Sequence, residues 1–296
     1  MTAVAFDRDD DGHPLIPRDH FDRPKIITPD GKIRAYTRTS KMAKTLSEEG
    51  GLSQWKLQTA FLGLARRPDL HGQLLELGPR GQHQLSLFNT LIEEAREAGG
   101  GNDASRWGTT FHDLAEWFDA YDYLFPADSN IPADLMGALD AYVELTKSIE
   151  MIACEGFVVQ DDVQCAGSFD RIGILPDSRL VIGDIKTAPD FHTNKGKIAE
   201  GAMQLATYSR SVFYHPDGTR TTFAEALGAE VDTSVGVIIQ VSRKREPGKD
   251  GLIDRLIPVD LNAGWRNVQR ALDVRANRLQ PPIQIGLDTP PQACPF

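Results

Sequence analysis

The hydrophobic and polar positions in the first half of the chain repeat with the period of amphipathic helices. Because side chains three or four residues apart lie on one helical face, this spacing predicts five helices. They cover Ser40 to about Arg67 (two helices), residues 82–98, a segment from near Ser105 or Thr109 through FHDLAEWFDAYDYL, and the residues after Pro132. Their boundaries come from N-caps at Ser40 and Ser53, a break at Gly50-Gly51 and an end at Gly99-Gly100-Gly101.

The pattern changes near residue 151, where apolar runs become shorter and turn residues separate them. These runs predict strands and a β-hairpin, with two further helices between and after them. They are the strands 151–160, 234–242 and 254–261, the hairpin 163–187 turning at Pro176-Asp177-Ser178, and the helices 198–214 and 262–277, the last capped by Asn262. The sequence therefore predicts an α/β fold with a mixed central sheet flanked by helices, after a largely helical N-terminal region.

These elements divide the chain into four parts. Residues 1–30 are rich in Asp, Arg and Pro and are predicted to form a flexible arm rather than a packed element. Residues 31–104 form the helical region, and residues 105–278 hold the α/β core. The tail 279–296 has five prolines after Leu279, so regular structure is not expected there.

The predicted hairpin carries charged side chains where its apolar second strand ends. Because side chains alternate along a strand, Leu180, Asp184 and Lys186 share one face, while Asp170 lies on the first strand. Two carboxylates and the main-chain carbonyl of Ile185 supply the oxygen ligands that Mg²⁺ takes. Lys186 would orient or deprotonate an attacking water, or neutralise charge that develops on a phosphate. A solvent-exposed ion pair on an edge strand is the alternative, and the hairpin alone does not decide between them.

The chain contains a second Asp-x-Lys sequence, Asp30-Gly31-Lys32, which follows Pro29. It lies between turn-forming residues with no predicted strand before it, so it is interpreted as a β-turn rather than a site.

Four further residues are candidates because of their surroundings. His112 lies on a helix after a glycine-bearing loop, although a lone helical histidine is more often an ordinary core or surface residue. Glu155 lies at the centre of an apolar strand, where a carboxylate is costly unless it is paired or holds a metal or water. Gln204 and Tyr208 project from one helical face and can donate hydrogen bonds to phosphate or to a metal-bound water. Taken alone, that pair is better explained as the edge of an amphipathic helix.

Composition narrows the class of protein. The 296 residues carry a net charge of −10, which argues against a basic nucleic-acid coat but not against a local nucleic-acid groove. Three cysteines without paired spacing, Cys154, Cys165 and Cys294, form neither a disulfide framework nor a CxxC zinc site. The sequence predicts no secretory signal and no membrane span, so a cytoplasmic protein is expected.

The order of these motifs resembles the RecB-like nucleases of the PD-(D/E)xK superfamily over about residues 105–210. The motifs are Gly108-Thr-Thr-Phe-His112, Glu155, Gly167-Ser-Phe-Asp170, Asp184-Ile-Lys186-Thr187 and Gln204-Leu-Ala-Thr-Tyr208. The resemblance implies that His112, Asp170 and Asp184 bind Mg²⁺ or Mn²⁺ and that Lys186 is catalytic. It places Gln204 and Tyr208 beside the site, in contact with substrate or water, and carries Glu155 over as a further catalytic residue.

The resemblance implies a metal-dependent DNA exonuclease of recombination, repair or phage DNA metabolism. An endonuclease with the same core and a non-catalytic DNA-binding module with a relic fold stay open, whereas coincidental charge pairs would require the motif order to be accidental. The expected partners are linear DNA and a recombination or single-strand annealing protein. The motifs are compatible with an oligomer as well as with a monomer. Related CRISPR-associated exonucleases hold an iron–sulfur cluster through four cysteines, which three cysteines cannot supply, so no cluster is expected.

Candidate phosphate contacts lie outside these motifs. They are Lys195 and Lys197 after the second hairpin strand, and Arg243-Lys244-Arg245 after the buried strand, although such residues more often belong simply to a solvated loop. Trp55, Trp107 and Trp117 are predicted to be core residues rather than platforms on which bases stack. Trp107 is nevertheless close enough to His112 in the sequence for a base-stacking role at the site.

Overall fold

A computed structural model provides the structure of the protein and describes residues 15–48, 50–78, 84–120, 131–188, 191–243 and 254–279. Within these residues the chain forms an α/β fold with mixed sheets flanked by helices, which confirms the predicted fold class at that level. The helices are α1 Thr39–Ala43, α2 Gly50–Arg66, α3 Pro68–Leu77, α4 Leu85–Ala98, α5 Asp103–Ala120, α6 Ala133–Thr146, α7 Lys195–Tyr208, α8 Phe223–Leu227 and α9 Leu261–Arg278. Among these described helices, none combines the length and apolar character that crossing a bilayer requires.

The strands of the described residues fall into three sheets. They are β1 Lys25–Ile27, β2 Ile33–Ala35, β3 Thr37–Arg38, β4 Glu150–Cys154, β5 Phe157–Gln160, β6 Cys165–Ser168, β7 Arg171–Ile174, β8 Leu180–Lys186, β9 Val212–Tyr214, β10 Arg220–Thr221, β11 Val235–Gln240 and β12 Arg255–Asp260. The first sheet has the order β12-β11-β8-β7-β4, the second sheet the order β10-β9-β5-β6-β3, and β1 pairs with β2 alone. The single central sheet of the sequence prediction is therefore two mixed sheets.

The first sheet is covered by helices on both faces. On one face, β8 directs Val181 and Ile185 toward α5 and α6. On the other face, Leu180 and Ile182 pack with α7 and α9. This arrangement confirms the predicted alternation along β8, and the hairpin turn is also confirmed because Ser178 N–H donates to Leu175 O at 2.8 Å.

Residues that were predicted to form a flexible arm pack against the second sheet. Ile16 and Ile26 are buried with Phe157 and Tyr214, and Ile27 N–H donates to Tyr214 Oη at 2.9 Å. The arm prediction is wrong for residues 15–30, since contacts with strands more than a hundred positions away order this segment; residues 1–14 lie outside the described ones. Asp30-Gly31-Lys32 forms the predicted turn, but it joins β1 to β2, so a strand does precede it.

Several helix boundaries differ from the predictions. Ser40 and Ser53 lie inside α1 and α2 rather than at their N-caps, and Gly50-Gly51 begins α2 instead of separating two longer helices. α3 was not predicted at all. α2 and α4 approach closely at Gly63, where no side chain intervenes. A Cβ at that position would lie 1.6 Å from Ala95 O.

Later boundaries differ as well. α7 begins at Lys195 rather than residue 198, because the Asn194 side chain caps it, and residues 212–214 form β9 instead of continuing the helix. α9 is capped by Asp260, whose carboxylate accepts from the backbone N–H groups of Asn262 and Ala263, so the predicted Asn262 cap is wrong. The tail predicted over 279–296 lies outside the described residues beyond Leu279.

Candidate metal centre

The chain crosses between its two large sheets at two adjacent points. β4 belongs to the first sheet and β5 to the second, so the strand predicted over 151–160 breaks at Glu155-Gly156. β6 and β7 change sheets in the opposite direction at Phe169-Asp170. The crossings are joined by hydrogen bonds, since Glu155 N–H donates to Asp170 O at 3.0 Å and Phe169 N–H to Gly156 O at 3.0 Å. Glu155 and Asp170 are thereby brought together.

Glu155 was predicted to lie at the centre of a strand, but the residue lies between β4 and β5. Its φ is +49°, in the left-handed region that few non-glycine residues adopt. Residues held in such backbone conformations concentrate at functional sites, where the surrounding structure maintains them. The backbone strain therefore coincides with the crossing that presents this carboxylate.

His112 completes a group of three metal-ligating side chains. It lies on α5, and its Nδ1 is 3.5 Å from Asp170 Oδ2 and 4.0 Å from Glu155 Oε1. One ligand atom from each of the three residues lies within 4.8 Å of the others. None of the three side chains is fully buried. One imidazole and two carboxylates that are open to water can hold a hard or borderline divalent cation, with waters completing its shell.

Close packing fixes α5 against the end of β8. Gly108, one helical turn before His112, faces Thr187, and a Cβ at position 108 would lie 3.2 Å from Thr187 Oγ1. Both residues belong to the sequence motifs, so the glycine in Gly-x-x-x-His allows the helix that carries the imidazole to approach the strand end.

Asp184 and Lys186 form an ion pair beside this triad. Asp184 is buried, its Oδ2 contacts Lys186 Nζ, and its Oδ1 accepts from Gln204 Nε2 at 3.1 Å. Burial raises the pKa of Asp184 to about 6, with a further contribution from the charge of Asp170, while Lys186 opposes the shift. Burial disfavours the ammonium of Lys186, but the carboxylates of Asp184 and Asp170 outweigh it and raise the pKa of this lysine. Lys186 is therefore held as a cation.

Two of the three side chains predicted as metal ligands, those of His112 and Asp170, belong to the triad, and that of Asp184 does not. His112 and Asp170 join Glu155, which was predicted as a catalytic residue, whereas Asp184 pairs with Lys186. Ile185 contributes its backbone N–H to Asp170 Oδ2 at 2.7 Å, and its carbonyl stays a predicted ligand. Gln204 links Asp184 to Tyr208, whose hydroxyl lies 3.5 Å from Gln204 Nε2. Burial chiefly, then the nearby Asp184 and Asp170, raises the pKa of Tyr208, so its hydroxyl stays protonated.

Arg171 is a site residue that the sequence analysis missed. Its guanidinium is buried, with Nε 2.6 Å from Asp119 Oδ2, and Nη1 donates to Asp170 O at 2.8 Å. Nη1 also lies 3.6 Å from Glu155 Oε1, and Tyr142 Oη donates to Asp119 at 2.6 Å. Burial raises the pKa of Asp119, and Arg171 opposes that shift. A charged residue at the start of the apolar run RIGIL was the available signal, because a buried arginine requires partners.

The predicted phosphate contacts lie near the same end of the first sheet. Lys195 and Lys197 occupy the first turn of α7, the helix that carries Gln204. β11 runs parallel to β8 with Gln240 opposite Lys186, and exposed Arg243 follows three residues later. Lys244 and Arg245 lie outside the described residues. Contact of any of these residues with DNA stays a prediction.

The tryptophans and cysteines occupy distinct surroundings. Trp107 is a core residue, as predicted, since it stacks on Phe111 and its Nε1 donates to Asp134 at 2.8 Å. Trp55 and Trp117 are each 39% exposed, so the core prediction is wrong for both. Cys154 and Cys165 are buried, which raises the pKa of each thiol to about 12, and Cys294 lies outside the described residues.

A scan against known protein-family models finds no match, and a search among curated proteins finds none either.

Proposed function

We propose that this chain is a Mg²⁺- or Mn²⁺-dependent DNA nuclease with a PD-(D/E)xK core, acting as an exonuclease. The proposal rests chiefly on one observation, the His112–Glu155–Asp170 group beside the buried Asp184–Lys186 pair. The two groups provide different chemistry. The triad offers ligands to a cation, and the Asp184–Lys186 pair holds an ammonium group beside the triad. An exposed ion pair, the alternative interpretation of the hairpin, is not compatible with a buried Asp184.

The donor set fits the proposed metal. His112, Glu155 and Asp170 would hold it, with Asp184 and the Ile185 carbonyl as further candidate ligands. A divalent cation bound there lowers the pKa of a coordinated water and stabilises charge on the phosphodiester oxygens. The partial exposure of all three side chains leaves room for waters and a phosphate, as Mg²⁺ sites require.

In this proposal, the remaining residues assist from the positions that they occupy around the metal ligands. Lys186 places a positive charge where negative charge develops during attack on phosphorus, while Asp184 keeps the ammonium in place. Gln204 orients the Asp184 carboxylate through its amide, and the protonated Tyr208 hydroxyl is available as a donor to a phosphate oxygen. Arg171 is a positioning residue, because it holds the Asp170 backbone and faces the Glu155 carboxylate without being open to solvent.

The setting that we propose follows the sequence resemblance. The enzyme would act in the cytoplasm on linear DNA during recombination, repair or phage DNA metabolism, alone or as an oligomer, with a recombination or single-strand annealing protein as a partner. Lys195, Lys197 and Arg243, together with Lys244 and Arg245, are the proposed contacts to the DNA backbone.

The test is metal-dependent nucleotide release from linear duplex and single-stranded DNA, with covalently closed circles alongside. Lys186→Ala is compared with Lys32→Ala, which removes the lysine of the other Asp-x-Lys sequence and so controls for charge. We expect the wild type and Lys32→Ala to degrade linear DNA with Mg²⁺ or Mn²⁺, and Lys186→Ala to lose activity by at least about a hundredfold.

Other outcomes would change the assignment. Cutting of closed circles would identify an endonuclease at the same site. Binding of DNA without cleavage under either metal would identify a non-catalytic module. Calorimetric titration with Mn²⁺, comparing wild type with His112→Ala, separates an intact metal site from a relic.

A further inference from the structure

A polar cavity adjoins the candidate centre through Tyr208, which lines it. Its volume is about 190 Å³, and its polar lining comes from Arg18, Arg38, Thr39, Ser40 and Tyr208 beside Gly167. None of the described residues that line it is acidic. Except for Gly167 and Tyr208, the sequence motifs do not include these residues, so the proposed catalytic roles do not account for the cavity.

Thr39 contributes a polar atom without a partner to the residues that line this cavity. The residue is fully buried, and among the described residues its Oγ1 has no hydrogen-bond partner. Buried polar atoms without a protein partner are uncommon, and such an atom in a cavity wall is often satisfied by a bound water or ion. The hydroxyl is a donor and an acceptor, and Arg18 and Arg38 line the same cavity.

The two arginines give the cavity a positive rim. Arg18 Nη1 lies 3.2 Å from Asp22 Oδ1, and Arg38 Nη1 contacts Asp22 Oδ2. Two guanidinium groups thus share one carboxylate, which leaves an excess positive charge. Both arginine side chains are partly exposed, so an incoming anion can reach them. Arginine forks and hydroxyl donors are a typical combination for binding phosphate.

Tyr208 connects the cavity to the catalytic cluster. A Cβ built at Gly167 would lie 3.0 Å from Tyr208 Oη and 3.5 Å from Thr39 Oγ1, so both hydroxyls face the same glycine. Tyr208 Oη in turn lies 3.5 Å from Gln204 Nε2, which donates to Asp184. Polar contacts therefore lead from Asp184 through Gln204 to Tyr208, which lines the cavity, and the missing side chain at Gly167 leaves space for the Tyr208 hydroxyl.

We infer that this cavity, which we call the arginine pocket, binds a phosphate group of the DNA strand that lies in the active site. The pocket holds one phosphate through Arg18, Arg38 and the Thr39 hydroxyl and so sets the position of the strand relative to the metal ligands. The inference rests on the proposed function for the identity of the strand, but the affinity of the pocket for phosphate does not depend on cleavage.

The first experiment needs no DNA. Melting temperatures are measured in inorganic phosphate and in chloride at matched ionic strength, with EDTA present. A ligand that binds only the folded state raises the melting temperature. We expect phosphate to stabilise the wild type and the control Arg34→Gln, an exposed arginine on β2, but not Arg38→Gln. Thr39→Val should melt no lower than wild type in chloride, since it removes an unpartnered hydroxyl, and should respond less to phosphate.

The second experiment measures affinity for a fluorescent single-stranded oligonucleotide in EDTA, with Lys186→Ala as the background. Adding Arg38→Gln should weaken binding about tenfold, as expected for loss of a charged hydrogen bond, and reduce the salt dependence by about one counterion. Arg34→Gln should change neither quantity. Oligonucleotides with a 5′-phosphate and a 5′-hydroxyl identify the source, because equal weakening indicates an internal phosphate and weakening of only the phosphorylated form indicates a terminal one.

The outcomes are separable from those of the nuclease test. If the protein neither cuts nor binds DNA but phosphate stabilises it in an Arg38-dependent manner, the proposed function fails and the arginine pocket stands. If Arg38→Gln matches its parent in both experiments and Thr39→Val responds to phosphate as the wild type does in the first, the arginine pocket is not a phosphate site and the inference is overturned, whatever the nuclease activity.

Discussion

The chain contains two Asp-x-Lys sequences whose surroundings differ completely. Asp30-Gly31-Lys32 lies in the turn between β1 and β2, where Asp30 is 48% and Lys32 is 70% exposed. In Asp184-Ile185-Lys186, at the end of β8, the corresponding side chains are 1% and 29% exposed. Hydrogen bonds from Thr28 and Lys32 lower the pKa of Asp30, whereas burial raises the pKa of Asp184 to about 6. The same three-residue pattern thus gives a solvated ion pair in one place and an electrostatically perturbed pair in the other.

The comparison teaches that the site depends on burial and neighbours rather than on the motif. Gln204 and Asp170 surround the second pair, and β7, β11 and α7 enclose it. Within the described part of the chain, the contacts of the first pair are Thr28 of its own turn and the exposed Arg34. Perturbed charge clusters in partly enclosed positions are candidates for function, while exposed pairs contribute little even to stability.

The largest expected effect comes from neutralising the aspartate of each pair. Asp184→Asn should reduce DNA hydrolysis by about a thousandfold, equivalent to about 4 kcal/mol, because Lys186 loses its partner and the site loses a negative charge. Asp30→Asn should leave the rate unchanged within about twofold, since an exposed pair contributes almost nothing. Initial rates on linear duplex with saturating Mn²⁺ measure both. If Asp184→Asn retained more than about a tenth of the activity, Asp184 would have no essential role.

The contrast between buried and exposed pairs extends to the arginines of the β7–β8 hairpin. Arg171, at its start, is buried against Asp119, and Arg179, near its turn, makes an exposed pair with Asp177. Arg171→Met should lower the free energy of unfolding by about 3–5 kcal/mol, because Asp119 is left as an uncompensated buried charge. Arg179→Met should cost at most about 0.5 kcal/mol. Urea unfolding followed by circular dichroism gives both values.

A second variant separates the stability and positioning roles of Arg171. Adding Asp119→Leu to Arg171→Met removes the uncompensated charge and should recover most of the lost stability. We expect metal affinity and activity to stay low in this double variant, because the Asp170 carbonyl and the Glu155 carboxylate have still lost their guanidinium partner. Recovery of activity together with stability would make Arg171 a purely structural residue.

Local patterns explain why parts of the fold were predictable. The alternation along β8 and the Pro176-Asp177-Ser178 turn depend on neighbours in sequence, and both appear as expected. The order of the fixed-spacing motifs also brought His112, Glu155 and Asp170 forward as candidates, although their grouping as a triad was not predicted.

What was missed depends on contacts between distant segments. The break at Glu155-Gly156 falls within a run that is apolar on both sides, so nothing local assigns β4 and β5 to different sheets. Ile16 and Ile26 lie in a segment whose local composition is that of a polar arm. Their burial depends on Phe157 and Tyr214, which are distant in sequence. Arg171 sits beside a predicted ligand, but its partners Asp119 and Tyr142 come from α5 and α6, which the sequence does not pair with β7.

Asp161 offers an intermediate case between Asp30 and Asp184, and it predicts a smaller effect. Its carboxylate is half-buried between Arg220 Nε at 2.7 Å and Tyr36 Oη at 2.6 Å. Burial favours the neutral form, but the hydrogen bonds of Arg220 and Tyr36 outweigh it and hold the pKa of Asp161 below its ordinary value of 3.8. Because the folded-state pKa is depressed, the stabilisation is present above the ordinary pKa and is lost as the pH falls through the folded-state value.

Asp161→Asn should therefore lower the free energy of unfolding by about 2 kcal/mol at neutral pH, the range of a hydrogen bond to a charged group. The difference from wild type should stay constant between about pH 7 and pH 5 and shrink below about pH 4, where the unfolded wild-type chain begins to take up a proton. Urea titrations across this range measure it, with nuclease activity at neutral pH expected to be nearly unchanged. A difference that grew toward acid pH would mean that burial dominates at Asp161, as it does at Asp184, and would place both carboxylates in one class.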